Sequence, residues 1–128
     1  MGTGTRIGRV RGLGSAREGA HHWWLQRLTA GTNFLLMSWF VISLLRLPHY
    51  DHATILAWLS SPLAAVPMAL LVVSVFWHFR LGLQVVIEDY QHDETRFVAL
   101  VLLNIYTVAM AGFAIFSILK IAFTGGAA

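Results

Sequence analysis

The chain has no cysteine. Disulfides, thiolate zinc centres and cysteine-held iron–sulfur clusters are therefore excluded for this chain, while the compartment is left open. Charge is also scarce: charged residues make up 12% of the 128 positions and hydrophobic ones 57%, with mean hydropathy +0.66. An ordinary soluble domain carries about 25% charged residues. The apolar stretches lack the alternation that marks strands. A β-barrel, which needs many more and shorter segments, is excluded as well. No internal repeat or low-complexity segment is present, and the length allows one domain at most.

What the chain does have is three long uncharged runs: Leu28 to Leu45, Ala53 to Trp77 and Phe97 to Leu119. A bilayer core needs about 20 helical residues. The chain is therefore expected to be an all-α membrane protein with three transmembrane helices, spanning about 28–47, 62–89 and 97–120. Three prolines occur. One of them, Pro62, suits the first helical position, with Ser60 or Ser61 as N-cap. Pro67 then predicts a kink, because neighbours in a membrane can re-satisfy the freed carbonyl. The residues just before, "ATILAWL", are expected to form a short interfacial segment.

The net charge is +3, and four of the nine basic residues (Arg6, Arg9, Arg11 and Arg17) lie in the first seventeen positions. Such an arm can serve nucleic acid, but here apolar spans follow at once, so it is read as setting topology, with no nucleic-acid partner. Residues 1–20 form a basic flexible arm and 21–128 the anchor domain. The positive-inside rule puts the N-terminus in the cytoplasm, "RLPHYDH" outside, "EDYQHDETR" back in the cytoplasm and the C-terminus outside. The basic region is long, Gly-rich and followed by a full span, unlike a cleaved signal. It is also poor in serine, unlike a transit peptide, which favours a bacterial protein of the inner membrane.

Residues 74–97, "SVFWHFRLGLQVVIEDYQHDETRF", combine an apolar run with a histidine at mid-span and carboxylates at its end. At 100° per residue, Ser74, His78, Gly82, Val85 and Asp89 form one stripe, with Val85 and Asp89 within about 20° of His78. Gly82 would let a flat ligand approach closely. A neutral imidazole is a standard axial ligand of haem iron. It can equally be a polar residue hydrogen-bonded between helices. Because the other five histidines fall in termini or loops, a second axial histidine would come from another chain. Asp89 and Tyr90 lie roughly 17 to 18 Å along the axis from His78. Tyr90 reads either as an aromatic-belt anchor or as a phenol donating to a carbonyl beside a proton-relaying acid.

"HFRLGLQVVIEDY", with His78, Gly82 and Asp89-Tyr90 at this spacing, resembles the small hydrophobic membrane-anchor subunit (D chain) of succinate dehydrogenase. "HHWWLQRLTA" at residues 21–30 is similar to the same family's approach to its first helix. The resemblance covers nearly the whole chain. It implies a subunit without catalysis of its own in the complex that oxidises succinate and reduces ubiquinone, packed with a second anchor subunit into a helical bundle. By the resemblance, His78 is an axial ligand of haem b, which is shared with the larger cytochrome b anchor subunit. Tyr90 and Asp89 belong to the ubiquinone site. Arg27 and His21 stand near the haem propionates, with Gly82 and Ser74 in the haem environment. Flavoprotein and iron–sulfur subunits complete the complex. Arg80 departs from the apolar residue expected there and is expected to snorkel or meet another subunit. The alternatives are a haem-free structural anchor and the anchor of a fumarate reductase.

Overall fold

Pro48, Asp51, Ser61 and the Gln91-His92 pair mark where the helices stop and start. The computed structural model describes residues 17–125, and among them there is no strand. Four helices follow in order: α1 (Arg17–Leu45), α2 (His52–Leu59), α3 (Pro62–Tyr90) and α4 (Asp93–Thr124). After α1 the Arg46 and Leu47 amides close a last turn on Ile42, Ser43 and Leu44 carbonyls at 3.1 to 3.2 Å. Pro48 follows, and a residue before proline is disfavoured in helix. The expected first span therefore stops two residues short of 47. Asp51 caps α2: its carboxylate accepts the Thr54 amide at 3.4 Å and the Thr54 hydroxyl at 2.6 Å. This is the short segment expected around "ATILAWL".

Ser61, rather than Ser60, is the N-cap of α3, with Pro62 in its first turn, and the helix continues through Pro67. Between α3 and α4 the chain reverses through Gln91 and His92, and Asp93 takes a left-handed φ of 54°. Aspartate is among the few side chains that tolerate this region. Gly125, at φ 62°, ends α4 in the left-handed C-cap conformation that glycine favours, its amide bonding Ile121 O at 2.9 Å.

Gly19–Leu45, Pro62–Tyr90 and Asp93–Thr124 are each long and apolar enough to cross a membrane, at 27, 29 and 32 residues. The protein is an integral membrane protein with three spans. Arg17 to Ala20, expected in the flexible arm, are already helical, since a helix can run past the apolar run that seeds it; residues 1–16 of that arm lie outside the described residues.

Helix α3 is the centre. It packs on α1 along one side and α4 along the other, and among the described residues α1 and α4 do not meet. The helices thus form an open layer. At the end away from Tyr90, Leu59, Ala65 and Ile118 are buried together from α2, α3 and α4, with Trp58, Met68, Val72 and Ile121 against them. Small residues bring membrane helices close, and Ala64 and Ala65 are 3% and 6% exposed. Helix α1 contributes no buried residue in its span.

Candidate functional site

His78 lies on α3, half-buried, with its ring against α1: its Nδ1 is 3.0 Å from the Thr29 hydroxyl. One turn back, the Ser74 hydroxyl donates to the Thr29 carbonyl at 3.4 Å. One turn on, a Cβ at Gly82 would sit 3.6 Å from Gln26 Nε2. The stripe Ser74, His78, Gly82 was expected to face a flat ligand. Within the chain α1 lies along this stripe: Ser74 and His78 bond Thr29, and Gly82 leaves room for Gln26. The open space lies beside this seam. His78, Val75 and the α1 residues Ala30, Asn33, Phe34, Met37 and Ser38 are among those lining a largely apolar groove of about 860 Å³, within the usual range of cofactor sites, about 300 to 1,000 Å³.

The α1 surface facing α3 carries a polar stripe absent from the sequence reading: His22, Gln26, Thr29 and Asn33. Spacings of four, three and four keep them within about 60° of one another on the helix. Of the four, Thr29 is bonded, while His22 Nε2, Gln26 Oε1 and Asn33 Oδ1 are buried without a hydrogen-bond partner among the described residues. Buried polar atoms are normally satisfied, and each exception needs a reason. Asn33 lines the His78 groove. His22 and Gln26 line a smaller pocket of about 360 Å³ with Gly19, Trp23, Arg27, Gly82 and Val85. The spacing from His22 to Asn33 was the available signal.

Arg27 is exposed, and its guanidinium lies 5.0 Å from the centre of the Trp23 ring. Its planar, permanently charged fork suits a carboxylate or phosphate. His21 is exposed and its neighbour His22 is the one turned into the pocket. Asp89 and Tyr90 are exposed, Tyr90 at 78%, and line neither the His78 groove nor the Arg27 pocket. Glu88 accepts from Gln84 at 2.8 Å. Two acids in the last turn of α3 oppose the helix dipole, which favours cations there, so local helix stability does not explain them. Arg80, expected to snorkel or meet another subunit, finds a partner within the chain: its Nε donates to Asn104 of α4, whose amide in turn donates to Leu100 O at 2.7 Å. Among the described residues no three His, Asp or Glu side chains gather as a metal site.

Residues 1–116 match the family described as succinate dehydrogenase/fumarate reductase transmembrane subunit. The chain is similar to the succinate dehydrogenase hydrophobic membrane anchor subunit of Rickettsia bellii, 34% identical over 114 residues, 86% of this chain and 91% of the relative. The subunit of the same name from Paracoccus denitrificans is 30% identical over 111 residues, 87% of this chain and 86% of the relative. The succinate dehydrogenase membrane anchor subunit of Reclinomonas americana is 30% identical over 100 residues, 72% of this chain and 80% of the relative. No solved structure matches.

Proposed function

The chain belongs to the succinate dehydrogenase/fumarate reductase transmembrane subunit family, and from that premise we propose that it holds haem b together with a second anchor subunit and forms one wall of a ubiquinone site. It is a membrane anchor subunit of succinate dehydrogenase, a part of that enzyme with no catalysis of its own. The curated relatives carry that name, rather than a fumarate reductase one.

The observation that carries the haem reading is His78: an imidazole within a span, its Nδ1 engaged by Thr29 at 3.0 Å, on the wall of an apolar groove of about 860 Å³. An ionisable residue inside a span is functional by default, because burial is costly. The residues fit the group. Nε2 makes no hydrogen bond among the described residues, the groove is apolar, and Asn33 leaves an unmet acceptor in it. Haem b, when bound, supplies one-electron carriage. His78 would be one axial ligand, and the larger cytochrome b anchor subunit would bring the other. Arg27, with His21 nearby, is suited to meet carboxylates at the same end of the layer.

Tyr90 and Asp89 mark the ubiquinone site. The phenol is free to donate to a quinone carbonyl, and the acid beside it to pass a proton. Their exposure within the chain supports a surface completed by the flavoprotein-bearing side of the complex, through the iron–sulfur subunit. With three arginines ahead of α1 and Arg17 as its first residue, that end belongs in the cytoplasm of a bacterial cell, and the bilayer is its inner membrane. The test is His78→Ala in the purified complex. Loss of most b-type absorbance, with all subunits retained, is the expected result. An unchanged spectrum would take the ligand role away from His78 and leave the haem to other residues, whereas a parental complex without b-type absorbance would make the chain a haem-free structural anchor.

A further inference from the structure

Thr29 has one hydroxyl proton and three acceptors within reach. The Leu25 carbonyl lies at 2.8 Å, the Gln26 carbonyl at 3.1 Å and His78 Nδ1 at 3.0 Å. A helical threonine turns its hydroxyl onto the carbonyl three or four residues back. The hydroxyls of Thr32, Thr107 and Thr124 each do so on the carbonyl four residues back, at 2.6 to 2.9 Å. With its proton on its own helix, the Thr29 oxygen has only lone pairs to offer His78, and Nδ1 must then be the donor. The neutral ring carries its single proton there, so Nε2 is the atom with a free lone pair.

Thr29 is itself held. Ser74 and His78 stand one turn apart on α3 and bond the carbonyl and the hydroxyl of this one residue. The ring is thereby fixed in direction as well as in tautomer. Histidines that bind metals need such a partner on the other nitrogen, which orients the ring and raises its basicity. We propose that Thr29 is the positioning residue for the metal ligand: it keeps the proton of His78 on Nδ1 and presents Nε2 to the groove, with Ser74 anchoring Thr29 in turn. This rests on the haem reading of His78.

The experiment uses the purified complex with Thr29→Val, which keeps the shape and removes the hydroxyl, and Thr29→Ser, which keeps the hydroxyl. The haem-to-protein ratio under detergent washing and the midpoint potential of the b-type haem are measured beside His78→Ala. The valine variant is expected to retain haem about tenfold less well. What remains should have a higher potential, because an imidazole that donates no hydrogen bond stabilises the oxidised iron less. Serine should restore both. Parental retention and potential in the valine variant, with haem lost from His78→Ala, would overturn the role of Thr29 and leave the haem reading standing. Equal defects in the valine and serine variants would assign Thr29 to packing and overturn the proposal too. A parental spectrum in His78→Ala would overturn both readings together.

Discussion

The two seams of α3 differ in how their polar groups are met. Towards α4 the account closes within the chain: Arg80 donates to Asn104, Asn104 donates to Leu100 O, and the buried Thr107 hydroxyl donates to Leu103 O at 2.7 Å. Towards α1 it stays open. Thr29 and His78 Nδ1 bond each other, but His22, Gln26 and Asn33 each bury an atom with no partner among the described residues, and the span of α1 has no buried residue. In a bilayer core there is no water to complete such a set. One seam is a finished interface, and the other is half of something.

Breaking the closed seam should have the larger effect on the chain itself. Asn104→Leu leaves the Arg80 guanidinium unpaired inside a span. Hydrogen bonds to charged groups are worth about 1.5 to 3 kcal/mol. A loss of that size in resistance to unfolding by denaturing detergent is expected, and an unchanged unfolding profile would show that Arg80 finds another partner. Next comes packing. Ala65→Leu adds bulk where α2, α3 and α4 meet, and overpacking costs about 1 to 3 kcal/mol. On the open seam, Gly82→Ala meets only the end of Gln26 at 3.6 Å, an ordinary contact, so its stability should match the parent. Comparable losses for the two variants, read in the same detergent titration, would erase the distinction between the seams.

The exposed end of α3, outside both seams, should instead register in function. Tyr90 makes no hydrogen bond within the described residues, so Tyr90→Phe should leave the fold alone. A lost neutral bond of about 0.5 to 1.5 kcal/mol corresponds to a fall of roughly two- to more than tenfold in ubiquinone reduction, at about 1.4 kcal/mol per decade. Succinate oxidation with a soluble acceptor should stay normal. Parental ubiquinone activity would make Tyr90 an interfacial anchor.

The smallest effect belongs to Asp51, at the end far from Tyr90. The Thr54 hydroxyl bonded to its carboxylate holds the Asp51 pKa below its ordinary 3.8. A pKa depressed by folding means that the cap contributes above the unfolded value and is lost as the pH falls through the folded one. Amide exchange in α2 should therefore quicken only at acid pH. Asp51→Asn, which still caps but does not titrate, should flatten that dependence. A variant that follows the parental acid profile would assign the change to another group.

The sequence alone determined the three spans, because runs of about 20 apolar residues can satisfy their backbone in a bilayer only as helices. It placed Pro62 and the short segment before it, since caps and proline act locally. It singled out His78, because an ionisable residue in such a run is conspicuous, and a resemblance to a known family supplied the roles proposed for Tyr90 and Asp89. Tertiary structure decided which partner each face meets. Angular counting gave the stripe through Ser74 and Gly82 its direction on α3 but not its neighbour within the chain, which is α1. Arg80 found Asn104 at a separation of 24 residues, and Thr29 found His78 at 49. The spacing of His22, Gln26, Thr29 and Asn33 puts them on one face of α1, but only packing against α3 buries their polar atoms. Helix periodicity fixes where a side chain points, whereas contacts between helices depend on how each rotates and slides against the next, and that is set by packing over the whole seam.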